Sequence, residues 1–513
     1  MLREQFQRTS RRRTHTNRIV RTRAEALAEL RRPCGRFKSI IPTEETLRSF
    51  IAEKAADIDN LGNPFFVSDG TPLNWQRLLA FLHENNVIDA PRFSARHYRN
   101  DYPHFFDFFE LTPMKSRSLS DGREVFYNGF GGSLDPEEAM SKAVGEVLER
   151  YFLSTYKLDT LRAASYAELS KRERVIDIHQ FDFFLDWQKK RFSTLAFDDE
   201  SVLRWVQGRE LQSGVPVYLP AQIVYWNYLR TPPDLPPEKM IFMQTTSGSA
   251  GHFTKDEATL GALLEAIQRE GFLIYWLNNL SPNIIDIETV EDRTLRDFVD
   301  CIRRFDFEIY FLNTTTDLAV PSVTCAIVDY NDPDGPVIGI GSSAGFDLKG
   351  ILMQSAIEAL SVTQFVSYDK RYVLPEDYVP FVSTDLARME RLHAWKGPEM
   401  EKQFRFFISG KKQSAQAFIG DAGSCSTVDS RLAHIVNLFA SLGKGYEIYT
   451  YEVKNSILKA LGYHVVRAIV PRLVPLYLVE FAAPLKARRL REVPEKIGYK
   501  AAEKFNPWPH PFP

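Results

Sequence analysis

Two stretches of this chain repeat one chemical pattern. Gly145-Glu146-Val147-Leu148-Glu149-Arg150 and Leu264-Glu265-Ala266-Ile267-Gln268-Arg269 both read E-x-x-[EQ]-R, each with an alanine (Ala139, Ala258) seven residues before the leading glutamate. Residues i, i+3 and i+4 share a helical face, so each segment aims a carboxylate, a second polar group and an arginine the same way. A glycine-bearing stretch precedes each, Gly131-Gly132-Ser133 and Gly251-His252-Phe253, and is expected to be a tight turn that opens the helix. A weaker third copy leads from Ser343-Ala344-Gly345 to Glu358. A lone glutamate–arginine face is ordinarily solvated. Here apolar flanks argue otherwise: Ala143, Val147, Leu148 and Tyr151 beside the first face, Leu260, Leu263, Ile267 and Phe272 beside the second. Buried charge needs a partner or a ligand. Magnesium takes one or two carboxylates with phosphate oxygens, and guanidinium forks suit phosphate. The inventory fits a nucleoside triphosphate with Mg2+.

Other motifs carry less. Gly341-Ser342-Ser343-Ala344-Gly345 matches the G-x-S-x-G elbow of serine hydrolases, and Gly339 to Ala344 loosely matches a dinucleotide fingerprint. Both are read as by-products of the repeat, since one copy alone has the serine and no ribose-binding acid follows about twenty residues on. No H-E-x-x-H spacing occurs among the ten histidines. At the end of the sequence, prolines 507, 509, 511 and 513 alternate with Trp508, His510 and Phe512. Such a segment is extended, and its aromatic residues favour docking onto the body.

The elements that position these residues read as α/β (α+β), with repeated strand–turn–helix units. Strands are expected at 215–219, 222–225, 307–312, 323–328, 337–340, 446–451 and 463–471, with the turn Asn331-Asp332-Pro333-Asp334-Gly335 joining two of them. The 513 residues exceed one ordinary core. The expected division is a basic arm at 1–40, a small region at 41–110 opening with a helix start at Pro42–Thr46, and one catalytic domain at 111–513. A formal net charge of −2 gives no global reason to expect nucleic acid. The arginine-rich residues 1–32 read as a solvated arm or a contact for an acidic partner. Four scattered cysteines imply reduced thiols. The most apolar run, 465–485, is broken by charges and prolines, so the expectation is a soluble cytoplasmic protein with no membrane span.

With these residues in view, the chain resembles the YcaO family, in particular the ATP-dependent azoline-forming cyclodehydratases of ribosomal peptides. The resemblance runs from about residue 110 to the end. It rests on residues 131–151, 246–270 and 465–476 and on the terminal proline alternation. It implies a YcaO-type fold around a nucleotide site, with ATP and Mg2+ as cofactors. By position, Glu146, Glu149 and Glu265 resemble metal ligands, and these three with Arg150, Gln268, Arg269 and Glu358 resemble the nucleotide-binding set. His510 and the carboxylate of Pro513 are the implied proton-handling groups. The resemblance further implies that a Cys, Ser or Thr side chain of a precursor peptide attacks the preceding amide. The amide oxygen is phosphorylated, and a thiazoline or oxazoline results. Implied partners are the precursor peptide, a leader-binding protein similar to ubiquitin-activating enzymes and a flavin dehydrogenase, with a homodimer as the candidate assembly. Thioamide or amidine formation and a non-catalytic peptide-binding scaffold are the rival readings. Lys142 departs from the family serine, Ser361 from the family glutamine, and the Gly131-Gly132-Ser133 stretch lacks the usual lysine.

Overall fold

The computed structural model describes residues 129–512 apart from 229, 231–236, 369, 385, 387 and 421–424, together with 81–82, 84–85, 87, 92–95 and 107–112. The basic arm and the helix start at Pro42 lie outside the described residues.

Three sheets carry the architecture. The first is antiparallel, β1 (Arg92–Ala95), β2 (Asp107–Thr112) and β3 (Gly129–Ser133) in that order. The second runs β4 (Arg162–Ser165), β5 (Val202–Glu210), β13 (Tyr449–Glu452), β14 (His464–Ile469), β7 (Ser249–His252), with β6 (Pro216–Pro220) also pairing β5. The third is β11 (Val337–Ala344), β10 (Ser322–Asp329), β9 (Phe307–Asn313), β8 (Ile284–Asp286), β12 (Lys412–Ser414). Three long helices follow a strand each and lie on it: α1 (Pro136–Ser154) on β3, α2 (Lys255–Leu277) on β7 and β14, and α3 (Leu348–Tyr368) on β11. Helix α2 also touches β11, so it is sandwiched between the second and third sheets. That position explains why Phe272, Leu273, Ile274, Trp276 and Leu277 are all buried. An amphipathic stripe would suffice for a surface helix; α2 is apolar nearly all round in its second half.

Two expectations are corrected. The glycine stretches are not turns. Gly131 lies inside β3 and Gly341 inside β11, at points where the following helix crosses the strand. A Cβ on Gly131 would stand 1.8 Å from the Ala139 carbonyl oxygen, and one on Gly341 would stand 2.5 Å from the Ala359 amide nitrogen. The glycines permit contact between backbones, and the G-x-S-x-G resemblance is a consequence, with Ser343 a strand residue paired to Val323. Residues 222–225, expected as a strand, contain the end of a short buried helix, Ala221–Val224. β6 ends at Pro220, and the buried segment after it satisfies its backbone locally, with Tyr225 N donating to the Ala221 carbonyl at 2.9 Å. Gln222 holds it in place by donating to the Lys239 carbonyl at 2.8 Å and accepting from the Ile241 amide at 3.0 Å.

Candidate active site

The repeat seen in sequence is a repeat in space. In each copy the glutamate of the helix reaches back to a backbone amide on or beside its own strand. Phe130 N donates to Glu146 Oε2 at 2.5 Å, Gly248 N to Glu265 Oε2 at 3.1 Å, and Ser342 N to Glu358 Oε2 at 2.7 Å. The separations in sequence are 16, 17 and 16 residues. One turn on, an arginine grips the same carboxylate: Arg150 to Glu146 at 2.5 Å and Arg269 to Glu265 at 3.1 Å. The third copy has Val362 there, packed in an apolar cluster, so Glu358 lacks an arginine from its own helix.

These carboxylates sense one another. Burial pushes the Glu149 carboxyl up to about 8, and the nearby charges of Glu265 and Glu146 push the same way against the hydroxyl of Ser249, which donates to it at 2.5 Å. Burial likewise raises Glu358; Arg269 and the Ser342 amide oppose, while Glu265 and Glu146 add to the rise. Near Glu265 and Glu149 stands Arg467 of β14, a residue whose role sequence spacing could not reveal because it comes from a distant strand. Its guanidinium is buried and brought down to about 10 by that burial, offset by Glu265 and Glu149. It donates to the carbonyls of Ile223 at 3.2 Å and Thr245 at 3.0 Å. The Gln268 amide donates to the Ser342 carbonyl at 2.7 Å. Ser342 is thereby held at its amide by α3 and at its carbonyl by α2.

The terminal segment is docked. Trp276 Nε1 donates to the Trp508 carbonyl at 3.3 Å, and Trp395 Nε1 to the Pro509 carbonyl at 2.9 Å. Phe512 is fully buried, its ring 4.1 Å from the guanidinium carbon of Arg269, which ties the tail to the carboxylate cluster. His510 is also fully buried, with Nε2 2.6 Å from the Tyr477 carbonyl and Nδ1 accepting from the Phe512 amide at 3.2 Å. Burial first, then Arg391, holds its pKa well below the ordinary histidine value. With Nε2 the donor and Nδ1 the acceptor, the neutral ring clamps the tail. Pro513 lies outside the described residues.

The departures have structural roles. Lys142, one turn before Glu146, bridges the Gly132 carbonyl at 3.3 Å, Gln354 of α3 at 2.7 Å and Glu138 at 2.7 Å. Ser361 turns back on its own helix, donating to the Ile357 carbonyl at 2.9 Å.

The donor set fits a ligand bearing both signs of charge. Carboxylates that repel call for a cation, and Arg269 has Nε and Nη1 buried without an acceptor, which calls for anionic oxygens. Among the described residues no group of three His, Cys, Asp or Glu side chains surrounds a common point as a ready metal cage. Magnesium would therefore need oxygens from its ligand as well, its usual habit.

Residues 130–474 match the family described as YcaO cyclodehydratase, ATP- and Mg2+-binding. The chain belongs to the YcaO family. Its fold is similar to that of a heterocyclase solved in complex with substrate and cofactor, at TM-score 0.60 and 20% identity over 79% of this chain and 53% of the other. It is similar also to the heterocyclase TruD, at 0.50 and 19% over 74% and 51%. The chain thus spans about half the length of these two heterocyclases. YcaO from Methanopyrus kandleri, bound with AMPPCP and Mg2+, matches at 0.53 and 15% over 78% of this chain and 90% of that one. No curated protein matches in sequence. Among the described residues no helix is long and apolar enough to cross a membrane.

Proposed function

We propose that this chain is an ATP- and Mg2+-dependent cyclodehydratase that converts Cys, Ser or Thr of a ribosomal precursor peptide into a thiazoline or oxazoline. The observation that carries the reading is the cluster of Glu146, Glu149, Glu265 and Glu358 facing Arg269, whose two buried N–H groups lack acceptors. When bound, Mg-ATP supplies an electrophilic phosphoryl group for the amide oxygen of the peptide. Glu146, Glu149 and Glu265 are the residues that would hold the metal with phosphate oxygens, and Arg150, Arg269 and Arg467 would balance phosphate charge. Because Glu146 and Glu265 are each clamped by a backbone amide and an arginine and Glu149 by the Ser249 hydroxyl, the acceptors are oriented before ligand arrives, which reduces reorganisation during the reaction.

The docked tail supports a substrate site on the Phe512 side of Arg269, with the backbone to be cyclised lying along Trp508–Phe512. Substrate delivery is assigned to a separate leader-binding protein. The purified chain alone should hydrolyse ATP slowly and modify precursor poorly, and adding that partner should accelerate both. The decisive experiment incubates the chain, precursor and partner with Mg-ATP and reads product mass. Loss of one water per ring with phosphate release is the expected result; sulfur incorporation, or no mass change, rejects the reading.

A further inference from the structure

The segment Val470–Leu476 binds none of the glutamates of the cluster, yet it walls a pocket directly beside them. The pocket is lined by Phe181, Phe183, Phe242 and Leu473 and, on its polar wall, by Arg269 and Arg467. Both cations belong to the carboxylate cluster: Arg269 pairs with Glu265, and Arg467 feels Glu265 and Glu149. The three phenylalanine rings brace one another at centroid distances of 6.0 to 6.1 Å. Val474 N is pinned by Glu270 Oε2 at 2.8 Å, so the wall is preformed.

Size decides what fits. The pocket holds about 60 Å³. A cavity that takes benzene measures roughly 150 Å³, so an aromatic ring is too large, and a purine more so. A small branched aliphatic side chain of valine size comes nearer the volume and suits the lining. In a peptide, the side chain and the carbonyl on the same Cα are separated by one carbon. A residue seated here would bring its own carbonyl oxygen to the guanidinium wall, where Arg269 has donors to spare.

We propose that this pocket receives the aliphatic side chain of the substrate residue whose carbonyl is activated, the one preceding the reacting Cys, Ser or Thr. The proposal rests on the peptide-cyclising reading above and adds the class of peptide. Four capped dipeptide amides, N-acetyl-Xaa-Cys-amide with Xaa glycine, valine, leucine or phenylalanine, serve as probes for the full chain in ligand-observed NMR titrations. Valine should bind about tenfold tighter than glycine or phenylalanine, with leucine between them, the discrimination expected of a well-packed apolar pocket. Phe242→Ala should move the preference to phenylalanine while ATP affinity stays unchanged, and Phe242→Leu should move it partway. A flat series in the wild type, or a ranking untouched by Phe242→Ala, overturns the proposal. So does a fall in ATP affinity without a change in ranking, which would assign the pocket to the nucleotide. If the probes follow the expected series but the chain with its partner removes no water from peptide, the pocket assignment stands and the cyclodehydratase reading fails.

Discussion

At the scale of single residues, the site is a balance of charges that burial makes unequal. Glu146 and Glu265 both accept from backbone amides and from arginines. Glutamine can still accept those hydrogen bonds but cannot bring negative charge to a cation. Glu146→Gln or Glu265→Gln should lower ATP turnover by at least about a hundredfold with the melting temperature nearly unchanged. Steady phosphate release in both variants, followed by a coupled assay, would remove them from the metal site. A second residue-level test concerns Glu452. Burial would raise its carboxyl, but Lys454 and His464 more than offset that and hold it down to about 2, against 4.5 in the unfolded chain. A depressed carboxylate contributes stability that is complete above the unfolded value and lost as pH falls through the folded one. Denaturant midpoints should therefore decline between pH 4.5 and 2, and Glu452→Gln should flatten that decline; an equal slope in both proteins contradicts the assignment.

At the scale of elements, each strand–helix unit depends on backbones touching. Gly131→Ala places a methyl 1.8 Å from the Ala139 carbonyl oxygen, so β3 and α1 must separate. The expected cost is about 2 kcal/mol or more, together with loss of the Phe130–Glu146 bond and hence of nucleotide affinity. Gly214→Ala is the control: its φ of +66° makes alanine strained, but no atom lies within 4 Å, so about 1 kcal/mol is expected with nucleotide affinity intact. Calorimetric melting beside nucleotide titration compares the two. Equal effects on nucleotide binding would mean that strand–helix contact does not position Glu146.

At the scale of the whole molecule, the tail ties the site to the core. Phe512 packs on Phe272 at 4.9 Å between centroids and under Arg269. Phe512→Ala should cost about 3 kcal/mol of stability and should reduce ring formation more than it reduces ATP affinity, because Arg269 loses its stacking partner on the substrate side. Water loss by mass spectrometry and nucleotide affinity, measured on the same preparation below its melting temperature, separate the two effects. Parallel losses would make the tail a structural plug only.

The helical faces that carry Glu146, Glu149, Glu265 and Arg269 were legible because helix periodicity is local: spacing of three and four residues decides which side chains share a face. The apolar flanks likewise told that those faces are buried. Strand identity at Gly131 and Gly341 was not legible, because a glycine in sequence is equally compatible with a turn and with close contact between a strand and a helix, and only the crossing helix distinguishes them. Neither the proximity of Arg467 to Glu149 and Glu265, nor the bond of Gln268 to a strand carbonyl, nor the neutral clamp made by His510 could be read from spacing. Each depends on groups brought together from distant parts of the chain, and burial beside those groups, which sets protonation and hydrogen bonding, exists only once the sheets and helices have packed.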